Sequence, residues 1–224
     1  EFLALYDPLT RLPNRRLLLD RLGHALSATD RTGLRCAILF LDLDHFKTLN
    51  DTLGHDVGDR MLQQAAQRLL DCVRRSDTVA RFGGDEFAVI LERLAADREQ
   101  AVTQAQTVGE KIRSALAHPY ALGDHERHTT VSVGITLFGD DADDSTDDVM
   151  KRADLAMYHA KDSGRGTVRV FDPSMRAAVQ SRAALEDALR RALDNGEIGP
   201  WFQPQFDAED RLVGAEALAR WLPP

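Results

Sequence analysis

The chain has 224 residues and a formal charge of −8, and these values restrict the classes of protein to consider. The length suffices for one domain with a full core and part of another. The acidic balance argues against a nucleic-acid-binding surface, so an anionic ligand needs a few placed basic groups or a metal ion. Cys36 and Cys72 lie in apolar patterns without a CxxC spacing, which predicts buried free thiols in a reducing, cytoplasmic compartment.

We also examine the sequence for segments that would direct the chain to a membrane or to export. The sequence contains neither an apolar run with the length of a membrane span nor a signal peptide at its start. Its first residues begin in the middle of a pattern, which indicates a piece of a longer protein. We therefore expect membrane attachment only through a segment upstream of residue 1.

Apolar periodicity predicts alternating helices and strands over residues 33–172. Asn14 is the expected N-cap of a first helix that runs to about Ala28. The continuous apolar run over residues 36–43 is typical of a central strand buried on both faces. There follow helices over 45–53 and 57–74, a hairpin with strands over 78–82 and 87–91, a helix over 97–117, an alternating strand over 129–137, a helix over 145–162 and a strand over 167–171. This order predicts an α/β (α+β) fold with a mixed central sheet flanked by helices.

The pattern changes after residue 172, where Asp172-Pro173 interrupts it. A helix rich in alanine and leucine is predicted over residues 174–195 and ends at Asn195-Gly196. Two strands over 201–206 and 212–218 follow, and a lone hairpin is only marginally stable. We therefore predict a first domain over residues 1–172, a helical linker over 173–197 and the incomplete start of a second domain over 198–224.

Two glycines and two adjacent carboxylates, Gly83 to Glu86, separate the strands of the predicted hairpin. Glycine favours such a turn because it adopts a positive φ without a Cβ clash. Asp85 and Glu86 are like charges, so the pair fits best where a cation or a phosphate-bound metal offsets them. Taken alone, the same four residues are also typical of a solvated acidic turn.

Asp42 and Asp44 close the buried strand, at the end where open sheets place ligands. If the hairpin tip lies beside them, Asp42, Asp85 and Glu86 form a compact set of oxygen donors. Magnesium needs one or two carboxylates together with phosphate oxygens, so this set predicts a Mg²⁺ site. The alternative role for Asp42 is a cap at the end of the strand.

The segment after this strand carries groups suited to a nucleotide. Lys47 and the helix start at His45 and Phe46 offer an ammonium group and free N–H groups to a phosphate. Asn50 and Asp59 suit a base edge, because an amide pairs with purine acceptors and a carboxylate accepts from guanine N1–H and N2–H. The alternatives are a surface lysine for Lys47, a helix C-cap for Asn50 and an N-terminal helix carboxylate for Asp59.

Lys161 and Arg165 lie four residues apart around Gly164, near the end of a predicted helix. Cations at this position favour the helix dipole. The same pair is suited to clamp the terminal phosphate of a nucleotide. The sequence leaves both interpretations open.

Six motifs, in order and with fitting spacing, resemble the GGDEF family of diguanylate cyclases over residues 5–172. They are Asp42-Leu43-Asp44-His45-Phe46-Lys47, Asn50-Asp51, Gly54-His55 with Gly58-Asp59, Gly83-Gly84-Asp85-Glu86-Phe87, Ala153-Asp154, and Ala160-Lys161-Asp162-Ser163-Gly164-Arg165. The opening Asp7-Pro8-Leu9-Thr10 is similar to the start of that family. Agreement among six separate motifs is specific, whereas one of them alone is not.

The resemblance implies a nucleotide-cyclase-like fold that condenses two GTP molecules into cyclic di-GMP, a bacterial second messenger, with release of two pyrophosphates. It implies that Asp42, the Leu43 carbonyl and Asp85 bind Mg²⁺ or Mn²⁺. Glu86 would be a further metal ligand or help to deprotonate the ribose 3′-hydroxyl. The other implied contacts are guanine for Asn50 and Asp59, phosphates for His45, Phe46 and Lys47, and the γ-phosphate for Lys161 and Arg165. Metal and cations would neutralise charge on the transferred group.

The resemblance also implies a partner chain and an inhibitory site. Each domain of this family holds one GTP, so a cyclic product requires a homodimer, expected to be two-fold symmetric. Arg74 and Asp77 have the Arg-x-x-Asp spacing that the family uses for inhibition by its product. An arginine can pair bidentately with phosphate or guanine, and an aspartate can accept from guanine N–H groups. The alternative is an exposed helix end with favourable cations.

The end of the chain resembles the opening of an EAL phosphodiesterase domain, which hydrolyses cyclic di-GMP. The resemblance lies in Phe202-Gln203-Pro204-Gln205 and in the segment from Leu212 to Trp221. In such a domain Glu216 would bind metal, and Gln203 and Arg220 would contact the substrate. Because the other ligands and the base are absent, we predict no phosphodiesterase activity for this chain.

Three functional hypotheses follow from the sequence. The first is an active diguanylate cyclase. The second is a GTP-binding regulatory module that controls an attached phosphodiesterase, although the intact motif counts against it. The third is an interaction scaffold in which the site residues are structural caps.

Overall fold

A computed structural model describes residues 2–123, 125–139 and 144–222. It divides into two compact units, Glu1–Met175 and Arg176–Pro224. Among the helices of these described ranges, none combines the length and apolar character needed to cross a membrane.

The first unit is a five-stranded sheet covered by helices. Its helices are α1 (Phe2–Leu5), α2 (Arg15–Thr32), α3 (Phe46–Leu53), α4 (His55–Cys72), α5 (Arg98–Ala117) and α6 (Thr146–Asp162). Its strands are β1 (Cys36–Leu43), β2 (Thr78–Gly83), β3 (Glu86–Leu91), β4 (Tyr120–Leu122), β5 (His125–Arg127), β6 (Val131–Phe138) and β7 (Val168–Val170). The sheet has the order β2-β3-β1-β6-β7, in which β6 and β7 are parallel and the other neighbours are antiparallel. The predicted mixed sheet flanked by helices is confirmed.

Side-chain caps set the starts of three helices. The Asn14 carboxamide oxygen accepts from the N–H groups of Arg16 and Leu17, as the sequence predicted. The side chains of Asp97 and Ser145 cap α5 and α6 in the same way. Helix α2 continues past the expected end at Ala28, because the left-handed residue that stops it is Gly33, with φ 65°.

The core lies on both faces of the sheet, and β1 contributes to each. Alternate β1 residues such as Leu39 and Leu41 pack in a cluster with α4 and α5. The residues between them, such as Ile38 and Phe40, pack in a second cluster with α2 and α6. All eight β1 residues are buried, so β1 is the central strand that the apolar run predicted.

Two features of the first unit differ from the sequence expectation. Strand β6 was expected to alternate between buried and exposed positions, but all eight residues are buried because helix α6 covers its second face. Ser132 and Thr136 are therefore interior polar residues. The β4–β5 hairpin was not expected, because strands of three residues are too short to show a period.

The second unit contains all but the first two residues of α7 (Ser174–Asp194) and the antiparallel strands β8 (Ile198–Phe206) and β9 (Leu212–Trp221). Helix and strands lie where the sequence predicted them, and each strand is three residues longer at its outer end. Large apolar side chains of the hairpin are exposed, among them Trp201, Phe202 and Leu212. Both strands of this hairpin carry mostly exposed residues.

Candidate functional site

The carboxylates predicted to bind metal meet where β1 ends and the β2–β3 hairpin turns. Asp42 lies directly opposite Glu86 in the register of β1 and β3. The Leu43 N–H donates to the Asp85 carbonyl at 3.3 Å, which draws the hairpin tip to the end of β1. Gly84 adopts φ 50° in this turn, a conformation that glycine reaches without a Cβ penalty. The register therefore brings Asp42, Asp85 and Glu86 together.

Arg81 holds the hairpin tip in place. Its guanidinium donates to the Gly84 carbonyl at 3.0 and 2.7 Å and to the Asp7 carboxylate at 3.1 and 3.2 Å. Burial alone would raise the pKa of Asp7, but hydrogen bonds from Thr10 and Arg81 outweigh it and lower that pKa below 3.8. Through Arg81, hydrogen bonds and an ion pair thus connect Asp7, near the start of the chain, to the hairpin tip.

Lys161 of helix α6 forms an ion pair with Asp42, with Nζ 2.6 Å from Oδ2. Burial raises the pKa of Asp42, the ammonium group of Lys161 opposes that rise, and the charges of Asp85 and Asp44 add to it. A buried carboxylate surrounded by others favours a cation nearby. Lys161 supplies that cation in this structure.

Glu86 faces a small cavity that the sequence did not predict. The cavity has a volume of about 240 Å³, and Lys151 and Asp154 of α6 line it together with Glu86. Burial raises the pKa of Glu86, and the charges of Asp42 and Asp154 raise it further while Lys161 opposes them. Asp154 belongs to a short motif noted above, but only the packing of α6 on the sheet shows its place beside Glu86.

The donor set fits a magnesium ion that is completed by a nucleotide. Within the described ranges, no three His, Cys, Asp or Glu residues lie close enough to form a metal site by themselves. Magnesium does not require such a cage, because it binds one or two carboxylates and takes its other ligands from phosphates and water. Burial is the main cause that raises the pKa values of Asp42 and Glu86, and neighbouring carboxylates add to it, so a cation bound here would favour the charged form of both groups.

The segment that the sequence predicts to bind phosphate begins immediately after β1. His45 adopts φ 60° and redirects the chain into α3, whose start is capped by no side chain in the part of the chain that the structure describes. Phe46 is buried in the core and anchors this start. Lys47 is exposed beside it. The uncapped N–H groups and the ammonium group thus share one short segment.

The structure excludes one of the two sequence interpretations of Asn50, the helix C-cap. Gly54, with φ 87°, is the C-cap of α3, so Asn50 is not. The Asn50 Oδ1 atom is buried without a hydrogen-bond partner among the described residues. A Cβ on Gly58 would collide with that oxygen and approach Asn50 Cγ and the Phe46 ring to 3.0 Å. Gly58 therefore provides the space that this side chain occupies.

Asp59 lies exposed on α4, one turn after the start of that helix. The acidic residue of the first turn is Asp56, so Asp59 is not the N-terminal carboxylate that the sequence allowed. Asp59 follows Gly58 directly, and Gly58 contacts the Asn50 side chain. The two residues assigned to guanine are therefore carried by neighbouring helices.

Arg165 is exposed in the turn that follows α6. Three successive residues of this turn, Gly164, Arg165 and Gly166, have φ values of 106°, 63° and 58°. A left-handed conformation is unfavourable for arginine, by on the order of 1 kcal/mol. The surrounding hydrogen bonds hold Arg165 in it, including Arg165 N–H to the Ala160 carbonyl at 3.2 Å.

Arg74 and Asp77 lie at the opposite end of β2 from the hairpin tip. Asp77 Oδ2 accepts from the Arg74 N–H at 2.9 Å, and Oδ1 accepts from the Glu92 N–H at 3.3 Å. Arg74 is exposed, and both residues line a cavity of about 380 Å³ beside α5. Asp77 thus shapes the turn that presents the Arg74 side chain.

The first unit is similar to known proteins. The protein-family model described as diguanylate cyclase, GGDEF domain, matches residues 4–167. The GGDEF domain of YfiN (TpbB) from Pseudomonas aeruginosa superposes with a TM-score of 0.73 at 38% identity, covering 78% of this chain and 99% of that one. The GGDEF domain of DgcB from Caulobacter crescentus, solved in complex with c-di-GMP, gives 0.67 at 33% identity, covering 75% and 95%.

Curated relatives match nearly the whole chain. MucR of Pseudomonas aeruginosa, named a bifunctional diguanylate cyclase/cyclic di-GMP phosphodiesterase, is 43% identical over 220 residues, 98% of this chain and 31% of its own length. PdeR of Escherichia coli, named a cyclic di-GMP phosphodiesterase, is 37% identical over 222 residues, 99% of this chain and 32% of its own. The chain thus spans about a third of the length of these relatives. Its sequence motifs, its sheet order and these matches agree that the chain belongs to the GGDEF family of diguanylate cyclase domains.

Proposed function

We propose that the chain condenses two GTP molecules into cyclic di-GMP and releases two pyrophosphates. The observation that carries this proposal is the pairing of Asp42 with Glu86 across β1 and β3, with the Lys161 ammonium 2.6 Å from Asp42. Carboxylates and a cation at one sheet edge suit a metal-bound triphosphate, whose charge both kinds of group must balance. The matched GGDEF structures support the same activity.

Different site residues would bind the metal ion, the guanine base and the phosphates during phosphoryl transfer. Asp42, Asp85, Glu86 and the Leu43 carbonyl would hold Mg²⁺ or Mn²⁺, which supplies charge neutralisation at the phosphates. Asn50 and Asp59 would orient guanine, and Lys47 with the N–H groups of His45 and Phe46 would hold phosphates. Lys161 and Arg165 would bind the γ end. Glu86 would also take the proton of a ribose 3′-hydroxyl as that oxygen attacks the α-phosphorus and pyrophosphate leaves.

A turnover assay tests this proposal. We expect the purified chain with GTP and Mg²⁺ to form cyclic di-GMP, measured by chromatography. Asp85→Ala removes one carboxylate from the hairpin tip and should lower the rate by at least about a hundredfold. The absence of product from the parent at high protein concentration, with GTP unchanged, would overturn the proposal.

A regulatory role is the second candidate, and the comparison with PdeR favours it. That relative carries a region similar to almost all of this chain and is named for phosphodiesterase activity alone. A regulatory module would bind GTP through Asn50 and Asp59 without converting it. Calorimetric binding of GTP together with undetectable product would select this function, and turnover would exclude it as the sole role.

Inhibition by the product is proposed for the Arg74 turn. The Asp77 carboxylate accepts a hydrogen bond from the Arg74 backbone N–H and so orders this turn. The exposed Arg74 side chain would offer its guanidinium fork to a phosphate or guanine of cyclic di-GMP. Arg74→Ala should raise the cyclic di-GMP concentration that halves turnover. An unchanged inhibition curve would remove this site from the proposal.

The second unit is proposed to begin an EAL phosphodiesterase domain, with residues 1–172 as the cyclase domain and 173–197 as the linker. Gln203 and Glu216 lie opposite each other in the β8–β9 register, and Arg220 lies further along β9 opposite Gly199. The similarity to MucR extends over this hairpin and supports the assignment. The chain alone should leave cyclic di-GMP intact, and hydrolysis during incubation would contradict this expectation.

A further inference from the structure

Asp44 is a buried carboxylate two residues after Asp42, and it is not among the residues proposed to bind metal or nucleotide. Only 3% of its surface is exposed. Its Oδ2 accepts from Thr130 Oγ1 at 2.6 Å and from the Gly166 N–H at 3.0 Å, and its Oδ1 accepts from Ser132 Oγ at 2.8 Å. Both oxygens of this side chain thus accept hydrogen bonds from within the protein.

These hydrogen bonds join three segments that are distant in sequence. Asp44 immediately follows β1, and Gly166 belongs to the turn after α6. Thr130 immediately precedes β6, and Ser132 is the second residue of that strand. The Asp44 backbone forms two further hydrogen bonds. The Asp44 N–H donates to the Thr130 carbonyl at 2.9 Å, and the Asp44 carbonyl accepts from Thr129 Oγ1 at 2.8 Å. The end of β1 is thus fixed to both other segments.

The turn held by Asp44 is the one that carries Arg165. Gly166 follows Arg165 directly, and the three residues of this turn all have positive φ. A conformation of that kind persists only where surrounding contacts enforce it. The bond from Gly166 to Asp44 is a direct link between this turn and the strand that carries Asp42.

We infer that Asp44 is a positioning residue that sets the place of Arg165 relative to the carboxylates at the end of β1, and thereby the affinity for the terminal phosphates of the nucleotide. The inference rests on the proposed function, since it assumes that Arg165 binds the γ end. The expected effect is selective. Loss of the Asp44 hydrogen bonds weakens binding of a triphosphate and leaves binding of a monophosphate nearly unchanged.

The experiment compares GMP with the α,β-methylene analogue of GTP, which cannot lose pyrophosphate, in calorimetric titrations with Mg²⁺. In Asp44→Ala we expect the affinity for the triphosphate to fall about tenfold and that for GMP to stay within about twofold. In Asp44→Asn, the carboxamide oxygen can still accept from the Gly166 N–H if the NH₂ group takes the place of Oδ1. The NH₂ group then donates to the Ser132 hydroxyl, which can act as an acceptor. It should therefore retain most of the parental ratio.

Two further variants keep the test decisive if Asp44→Ala does not fold. The double variant Thr130→Val, Ser132→Ala removes both hydroxyl donors from Asp44 and should shift the ratio in the same direction, by about threefold. Thr136→Val is the matched control, because Thr136 is a buried residue of the same strand and face whose hydroxyl has no hydrogen-bond partner in the described ranges. The control should leave the ratio unchanged.

Each alternative result has a defined meaning. Equal loss of both ligands in the Asp44 variants, or a control that shifts the ratio as much as they do, would overturn the inference, because a general loss of structure moves both affinities. A parent that binds GMP as tightly as the triphosphate would also overturn it. A parent that binds neither ligand would overturn the proposed function itself.

Discussion

Gly58 determines where the Asn50 side chain lies. A Cβ at this position would collide with Asn50 Oδ1, which is the mobile end of a side chain and can move away. We therefore expect Gly58→Ala to displace Asn50 and to weaken GTP binding by about tenfold, or ~1.4 kcal/mol. The fold should tolerate the change, since alanine in a helix interior is favoured over glycine by about 1 kcal/mol. Calorimetry with GTP and thermal unfolding measure the two effects separately.

Gly23→Ala is the matched control for this variant. Gly23 also lies inside a helix, and a Cβ there would meet only Thr146 Cγ2, at an ordinary 3.9 Å. This variant should bind GTP as the parent does and unfold at a slightly higher temperature. Parental GTP affinity in Gly58→Ala would remove Asn50 from the guanine site or show that it has a second acceptable position.

Asp7 gives the chain a defined dependence of stability on pH. Its pKa in the folded chain lies below 3.8, so it stabilises the fold fully above its unfolded value and loses that contribution as pH falls through the folded value. Asp7→Asn should therefore lower the free energy of unfolding at pH 6 by about 1 kcal/mol, a small value because water screens the pair. The difference from the parent should shrink below pH 4.

Urea unfolding at pH 6 and pH 3 checks this dependence. Asp20→Asn is the control, because Asp20 is an exposed carboxylate that lies 4.0 Å from the imidazole of His24, which is also exposed. That variant should match the parent at both pH values. If the difference between Asp7→Asn and the parent grew on acidification, the Asp7 carboxylate would not be stabilised by the fold in its charged form.

At the scale of elements, Gly134 sets the distance between β6 and α6. A Cβ at this residue would collide with Met157 N and Ala153 O and lie 2.7 Å from Ala156 C, all of them backbone atoms of α6. Backbone cannot rotate away as a side chain does, so the helix must shift as a whole. Gly134→Ala should lower the free energy of unfolding by about 3 kcal/mol, measured by urea titration.

Gly109→Ala provides the comparison at another helix–sheet contact. Its Cβ would meet the ends of two side chains, Ile135 at 3.0 Å and Val168 at 3.1 Å, which can adjust. Its cost should stay below about 1 kcal/mol. Equal effects of the two substitutions would show that α6 can move away from β6 without loss of packing.

At the scale of the whole molecule, the proposed reaction requires two copies of the chain. One proposed site would hold one GTP, and cyclic di-GMP contains two guanylate units. The specific activity should therefore rise with protein concentration and level off once the chains are paired. Initial rates over a hundredfold range of concentration, with Asp85→Ala as the background, test this. A constant specific activity across that range would contradict assembly during the reaction.

The sequence predicted the parts of this fold that depend on local pattern. The buried run before Asp42 and the glycines before Asp85 indicated a central strand and a hairpin, and their register then placed Asp42 opposite Glu86. The place of Asp154 beside Glu86 and the bond from Gly166 to Asp44 could not be predicted, because each joins segments far apart in the chain. The β4–β5 hairpin was missed for a different reason, since three residues do not establish a period.

The ion pair between Lys161 and Asp42 would couple the binding of a cation to the binding of a nucleotide at the proposed site. Asp42 already has a counter-ion that belongs to the chain, so an external cation at this carboxylate replaces one positive charge with another. The ammonium group released in that exchange becomes available to an anion. Each ligand thereby lowers the free-energy cost of binding the other, and this positive coupling must be equal in both directions. We expect a nucleotide and its cation to bind as a pair, each with far lower affinity alone.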